Sequence, residues 1–290
     1  MREPDVKQVE ALLKGIAIPP QPKIVLDLMD LFKRPDPDFG EIIALVSSDV
    51  ALSAKMLKLV NSPIFGASMK VDSIDQALLR LGLDNFNNLV LVSSLQSIFK
   101  TRRENQGLIN ALWNHSLKIA RVCEMIVIQS PELEGIVPSH LAYMTGLFHD
   151  CSIPLMLEKF DGYRAVSYSV LNNDLSIELE DKQFLTDHAI GSYLMAKTWY
   201  LPMPVCQAIL NHHDSGYGNE PAAEATDKRL WAILVFAEYL APVEMEEDNL
   251  DRQDAIDSKW IVVCGTITDE LYLNEDRIER FKKLARSDGN

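Results

Sequence analysis

Apolar residues recur along this chain at spacings of three and four almost throughout, and alternating runs of Val, Ile and Thr are scarce. That is the period of helices buried along one face, so the pattern predicts an all-α fold. After Pro19-Pro20 and Pro22, Lys23 to Phe32 reads as one helix, closed by Pro35-Asp36-Pro37-Asp38, with Asp38 placed to cap the next. Ser48 or Asp49 opens another helix that turns Leu52, Met56, Leu59 and Val60 inward and stops near Asn61-Ser62-Pro63. Ser73 and Gln76 form a capping-box pattern, Gly82 is a stop signal, and Phe86 to Phe99 is a further apolar helix. The polar stretch Lys100 to Gln106 is the internal boundary, dividing a helical lobe over residues 1–105 from a second over 106–290.

In the second lobe, a helix over Ala111 to Ile128 places His115, Ile119, Val122 and Ile126 on one face. Ser139 is a candidate cap for a helix running through Tyr143 and Leu147 to His149-Asp150, and Pro154 breaks the chain soon after. Leu185 to Tyr200 carries His188, with Gly191 permitting a close approach; beyond Pro202 and Pro204, Val205, Ala208, Ile209 and His212 form the next inward stripe. Leu230 to Leu240 is nearly all apolar except for Glu238 and Tyr239, and a carboxylate in such a stretch needs a partner. The acidic segment Glu244 to Asp257 reads as a solvated loop or mobile segment. Trp260 to Ile267 reads either as the one strand of the chain or as the start of a terminal helix reaching Leu284.

A hydrophobic content of 47% over 290 residues is enough for a substantial core. The formal charge of -14 argues against nucleic acid as a direct partner, because backbone binding draws its affinity from clustered Lys and Arg. Cys123, Cys151, Cys206 and Cys264 lie far apart without a Cys-x-x-Cys pair, which fits reduced thiols in the cytoplasm. Met1 to Glu10 lacks the order of a signal peptide, and no apolar run is long enough to span a bilayer, so a soluble cytoplasmic protein is expected, with no membrane partner.

Candidate chemistry centres on His149-Asp150. Adjacent imidazole and carboxylate offer one cation two kinds of donor, and His115, His188, His212-His213 and Glu238 each sit beside an apolar helical stretch. Five of the six histidines belong to this series, which points to one shared site. The competing reading is a metal-free polar network in which Asp150 braces its own histidines, with His188 packing at a helix N-terminus. Of His212 and His213, one is expected to point inward and His213 to face solvent beside Asp214. Asn61 is read as capping the preceding helix, and Cys151 as a buried inert thiol.

These residues carry a resemblance. Ser48-Asp49-Val50-Ala51-Leu52, Leu59-Val60-Asn61-Ser62-Pro63-Ile64-Phe65-Gly66 and Ser73-Ile74 to Leu81-Gly82 are followed in order by Leu112-Trp113-Asn114-His115-Ser116, Gly146-Leu147-Phe148-His149-Asp150, Asp187-His188-Ala189-Ile190-Gly191, and Trp199-Tyr200-Leu201-Pro202 up to His212-His213. The chain resembles the HDOD domain, a branch related to the HD metal-dependent phosphohydrolases, from about Ile18 to about His213. The resemblance implies a two-lobed all-α domain, treated in bacteria as a signalling or interaction module with another signalling protein as partner. It assigns Asn61, Ser62 and Gly66 to a structural motif. By the HD pattern His115, His149 and Asp150 are first-metal ligands, Glu238 stands where an Asp is usual, and His188 with His212 or His213 matches a second-metal position of HD-GYP relatives. The implied cofactor is a divalent ion, Fe, Mn, Zn, Ni or Mg. The implied functions are a non-catalytic regulatory module with a relic metal site, or a phosphohydrolase or phosphodiesterase acting on a nucleotide or cyclic dinucleotide. Active HD enzymes commonly continue past the dyad with Ile-Gly-Lys, whereas Cys151-Ser152-Ile153 follows here.

Overall fold

Helix is the only regular element among the described residues of the computed structural model, which are 18, 23–32, 34, 38–61, 70–99, 103–171, 176–242 and 250–287. They group into two compact units, one within residues 19–100 and one from residue 101 onward together with Ile18. Expectations placed on Met1 to Glu10, on the prolines from Pro19 to Pro22 and Pro35 to Pro37, on Ser62 to Gly66, on Lys100 to Arg102 and on Glu244 to Asn249 lie outside the described residues. No described helix is long and apolar enough to cross a membrane.

The first unit holds α1 (Lys23–Phe32), α2 (Phe39–Ser47), α3 (Val50–Val60), α4 (Ile74–Leu81) and α5 (Leu83–Ile98). Val25, Leu28 and Leu31, spaced three apart, are the buried face of α1, which packs on α2 and α5. Short carboxylates start the next two helices: Asp38 Oδ1 accepts from the Gly40 N–H (2.7 Å) and Asp49 Oδ1 from the Leu52 N–H (3.0 Å). On α3, Leu52, Met56 and Val60 are buried, and Leu59 is only half-buried. Gly82 ends α4 at φ 73, a left-handed conformation that a Cβ would strain, and α5 begins at the next residue. The capping box expected at Ser73 does not form. Ser73 makes no cap bond, its hydroxyl serves Asp75, and the Gln76 side chain accepts instead from the Asp72 N–H at 3.1 Å.

Asn61 does more than end α3. Its Nδ2 donates to Leu57 O and to Val71 O, both at 2.8 Å, and its Oδ1 accepts from the Val71 N–H at 2.8 Å. One amide thereby ties the helix terminus to the segment ten residues on. Asn61→Ala is expected to cost about 2 kcal/mol, three half-buried bonds at the lower end of their usual worth. It is also expected to speed exchange of the Val71 amide by more than about tenfold. Unchanged Val71 exchange would show that the side chain does not hold this connection.

The second unit holds α6 (Gln106–Ile128), α7 (Ser139–Phe148), α8 (Ile153–Lys159), α9 (Tyr163–Leu171), α10 (Ser176–Phe184), α11 (His188–Thr198), α12 (Met203–Asn211), α13 (Ala225–Leu240), α14 (Leu250–Glu270) and α15 (Glu275–Ser287). α6 packs most extensively on α7, and α13 lies against α6, α7 and α12. The core is filled by Trp113, Phe148, Trp199, Trp231 and Phe236. Three expectations are corrected. Ser139 is the first helical residue, without a cap bond, and Pro138 takes the cap position. α11 starts at His188, because Leu185 turns to φ 58 and the Asp187 carboxylate accepts from the Ile190 N–H at 2.9 Å. The acidic stretch from Leu250 to Asp257, read as loop, is instead the first two turns of α14, while Trp260 to Ile267 takes the helical of its two readings inside that helix, which ends at Glu270 rather than reaching Leu284.

Candidate metal centre

Two glycines bring the site's elements together. A Cβ on Gly146 would stand 2.7 Å from Ala120 Cα and N, so only glycine lets α7 lie directly on α6, one turn past His115. A Cβ on Gly191 would stand 2.6 Å from Ser152 Oγ. In that space Ser152 Oγ donates to His188 O (2.9 Å) and the Ser152 N–H donates to Ser192 Oγ (3.1 Å), fastening the start of α8 to α11. His149 and His212 follow the last residues of α7 and α12, and each ring is turned by its own helix. Nδ1–H donates to Gly146 O (2.7 Å) and to Ile209 O (2.6 Å) respectively, leaving both Nε2 atoms facing inward. Trp231 Nε1–H donates to Asn211 O at 3.0 Å and fixes the chain just before His212.

The Asp150 carboxylate lies between two groups. Its Oδ2 is 3.2 Å from His149 Nε2, which is also 3.8 Å from Glu238 Oε1. Its Oδ1 is 3.4 Å from His188 Nε2 and 3.9 Å from His212 Nε2. Ligand atoms of His115, His149 and Asp150 all lie within 4.8 Å of one another, and so do those of His188, His212 and His213. Both adjacent histidines therefore approach the cluster. The expectation that His213 faces solvent is overturned, since His213 Nε2 lies 3.0 Å from His188 Nε2, although the residue is only half-buried. Turning by Asp214, which accepts from the Gly216 N–H at 2.9 Å, and packing of Tyr217 and Gly218 on α13 swing this corner back toward the site.

Without an ion, the buried charges hold protons where a cation fits. Burial opposes protonation of His149, but Asp150 and then Glu238 overcome it and raise the ring above its ordinary value. Burial opposes charge on His188 too, and there Glu180, then Asp150 and Asp187, raise it to about 10. His212 is driven far below its ordinary value by burial and by the positive rings of His188 and His149. Asp150 stays ionised despite burial chiefly because His149, which also hydrogen-bonds it, and then His188 lie against it. His149 Nε2, His212 Nε2 and Asp150 Oδ1 are buried, and none has a hydrogen bond of regular geometry to a described residue. Such convergent unsatisfied atoms are costly, and separations of 3.2–3.9 Å are those of donors sharing an ion at bonds of about 2.0–2.2 Å. The residues fit a divalent metal.

Glu180 and Tyr163 were missed by the sequence reading. Glu180 Oε2 accepts from His188 Nδ1–H at 2.7 Å and from the His188 N–H at 3.2 Å, and Tyr163 O–H donates to Glu180 Oε1 at 2.5 Å. Nothing in Ser176-Ile177-Glu178-Leu179-Glu180-Asp181-Lys182 separates Glu180, wholly buried, from exposed Glu178 beside it. Cys151 is buried and its thiol pushed far up by burial, in keeping with an inert role.

The family model of the HDOD domain matches residues 18–215, so Glu238 lies beyond the matched stretch. A Treponema pallidum (strain Nichols) protein is 28% identical over 227 residues, covering 76% of this chain and 41% of its own. The cyclic di-GMP phosphodiesterase CdgJ of Vibrio cholerae serotype O1 is 28% identical over 115 residues, 40% of this chain and 25% of its own. The chain thus spans well under half the length of either curated relative. An HDOD domain protein of unknown function from Geobacter sulfurreducens shares the fold, with TM-score 0.60 and 23% identity over 97% of this chain and 98% of that one. With a match over more than half its length and the ordered histidine and carboxylate cluster that accompanies it, this chain belongs to the HDOD family.

Proposed function

We propose that this chain is a metal-holding regulatory module of HDOD type that acts by binding another signalling protein or a small signal, without hydrolysing a substrate. The observation that carries this reading is the use made of Ser152. Where active HD enzymes commonly place a glycine and then a phosphate-contacting lysine, this chain has Ser152, buried and committed to His188 O and Ser192, and then the buried Ile153. Lys159 and Arg164, the next cations in the chain, are exposed. A cluster rich in ligands but poor in phosphate-binding cations favours an ion held for structure or switching. His115, His149, Asp150 and Glu238 are the ligands of one group, and His188, His212 and His213 with Asp150 those of the other. Mixed imidazole and carboxylate donors suit Fe, Mn, Zn or Ni better than Mg.

The second reading is a phosphodiesterase for a nucleotide or cyclic dinucleotide, supported by the carboxylate of Asp150 between two ligand groups and by the likeness to CdgJ. Bound ions would there acidify a water and neutralise phosphoryl charge. The test is protein purified without chelator or histidine tag, assayed with cyclic di-GMP after loading with Mn or Fe. About one to two ions per chain, and turnover no greater than that of Asp150→Ala, is the expected result. Turnover that Asp150→Ala abolishes would replace the regulatory reading with the hydrolytic one.

A further inference from the structure

Three histidines present Nε2 to the cluster with Nδ1 tied behind, but they are not tied alike. For His149 and His212 the acceptor is a neutral carbonyl of their own helix, Gly146 O and Ile209 O. For His188 it is the carboxylate of Glu180, brought from α10, and that carboxylate is itself held by the phenol of Tyr163 on α9. Glu180, Tyr163 and His188 are each fully buried. Burying a carboxylate and a phenol is expensive unless every acceptor is met, and here Oε1 takes one donor and Oε2 takes two. Apolar side chains would fill the same volume at less cost, so the arrangement calls for a purpose other than packing.

A carboxylate accepts only, so the proton between Glu180 and His188 sits on Nδ1 whenever Nε2 binds an ion. Nε2 then directs its lone pair at the space shared with Asp150 Oδ1 (3.4 Å) and His213 Nε2 (3.0 Å). A charged acceptor behind the ring makes that nitrogen a stronger donor than a carbonyl acceptor does. We infer that Glu180, braced by Tyr163, is a positioning residue that makes the His188, His212 and His213 group the tighter of the two metal positions. This rests on the reading that the cluster holds divalent ions.

The test is Zn2+ binding to the full chain by competition with a chelator of known affinity, with circular dichroism to check the fold. Glu180→Gln keeps the shape and removes the charge. It is expected to weaken the tighter step about 10- to 100-fold and to leave the weaker step unchanged. Tyr163→Phe, a milder change that guards against failure to fold, is expected to weaken the same step several-fold. If wild type takes up a single ion, the loss must fall on that one step. A lower melting temperature with both steps unchanged, or an equal loss in both, would overturn the inference while leaving the metal reading in place. Wild type that binds no Zn2+ would overturn the two together.

Discussion

Asp150→Ala is expected to leave the protein with less than about a tenth of the metal carried by wild type, and to make it markedly less stable. The carboxylate lies against both proposed ligand groups, with Oδ2 at 3.2 Å from His149 and Oδ1 at 3.4 and 3.9 Å from His188 and His212. In the proposed ligand set its removal takes one carboxylate oxygen from each position, so both groups lose charge compensation for a cation. The metal-free fold suffers as well. Against burial, the His149 ring is raised chiefly by Asp150 and then Glu238, and the His188 ring chiefly by Glu180 and then Asp150, and breaking a buried charge pair on one side typically costs about 3–5 kcal/mol. Two measurements separate the effects. Elemental analysis of protein purified without chelator reads the metal, and thermal unfolding with and without EDTA reads the linkage. An ion present at a thousand times its dissociation constant stabilises the native state by about 4 kcal/mol. EDTA should therefore lower the melting temperature of wild type and leave that of Asp150→Ala unmoved. Full metal content in the variant would remove Asp150 from the ligand set.

The residues that were legible in the sequence are those whose direction is fixed by their own helix. His212 shares a stripe with Val205, Ala208 and Ile209, and all four are buried. His115 shares one with Ile119, Val122 and Ile126, which are buried while the histidine stays half-buried at the rim of the cluster. His213 fell outside this logic because the turn after α12 aims it, and a turn's direction depends on what Asp214 and Gly218 meet. Glu180 fell outside it because a carboxylate among other carboxylates carries no periodic signal. In α14 the run Trp260 to Ile267 is rich in β-branched residues, hence its strand-like look. Val263 and Ile267 are nevertheless buried four apart, while Ile261 and Val262 are 72% and 69% exposed. That spacing is helical, and Trp260, stacked 4.2 Å from Tyr239 of α13, shows that packing chose the helix over local propensity.

Gly146→Ala is the second large effect, and it couples the fold to the site. Its Cβ would come within 2.7 Å of Ala120 Cα and N and 2.9 Å of Ile119 C. These are backbone atoms in the middle of α6, which have no rotamer to move to, so α7 itself must lift away. Overpacking in a core costs about 1–3 kcal/mol where side chains can yield, and the upper end of that range applies here. The same displacement carries His149 and Asp150, which follow α7 directly, away from His115 on α6. Loss of about 3 kcal/mol in denaturant unfolding is thus expected to appear with weaker metal binding in the variant that still folds. Gly265→Ala is the matching control. It lies inside α14 with nothing within 4 Å of the added methyl, and alanine there is expected to stabilise by about 0.5–1 kcal/mol. If the two alanine variants melt alike, α7 does not lie as close to α6 as the cluster's geometry requires.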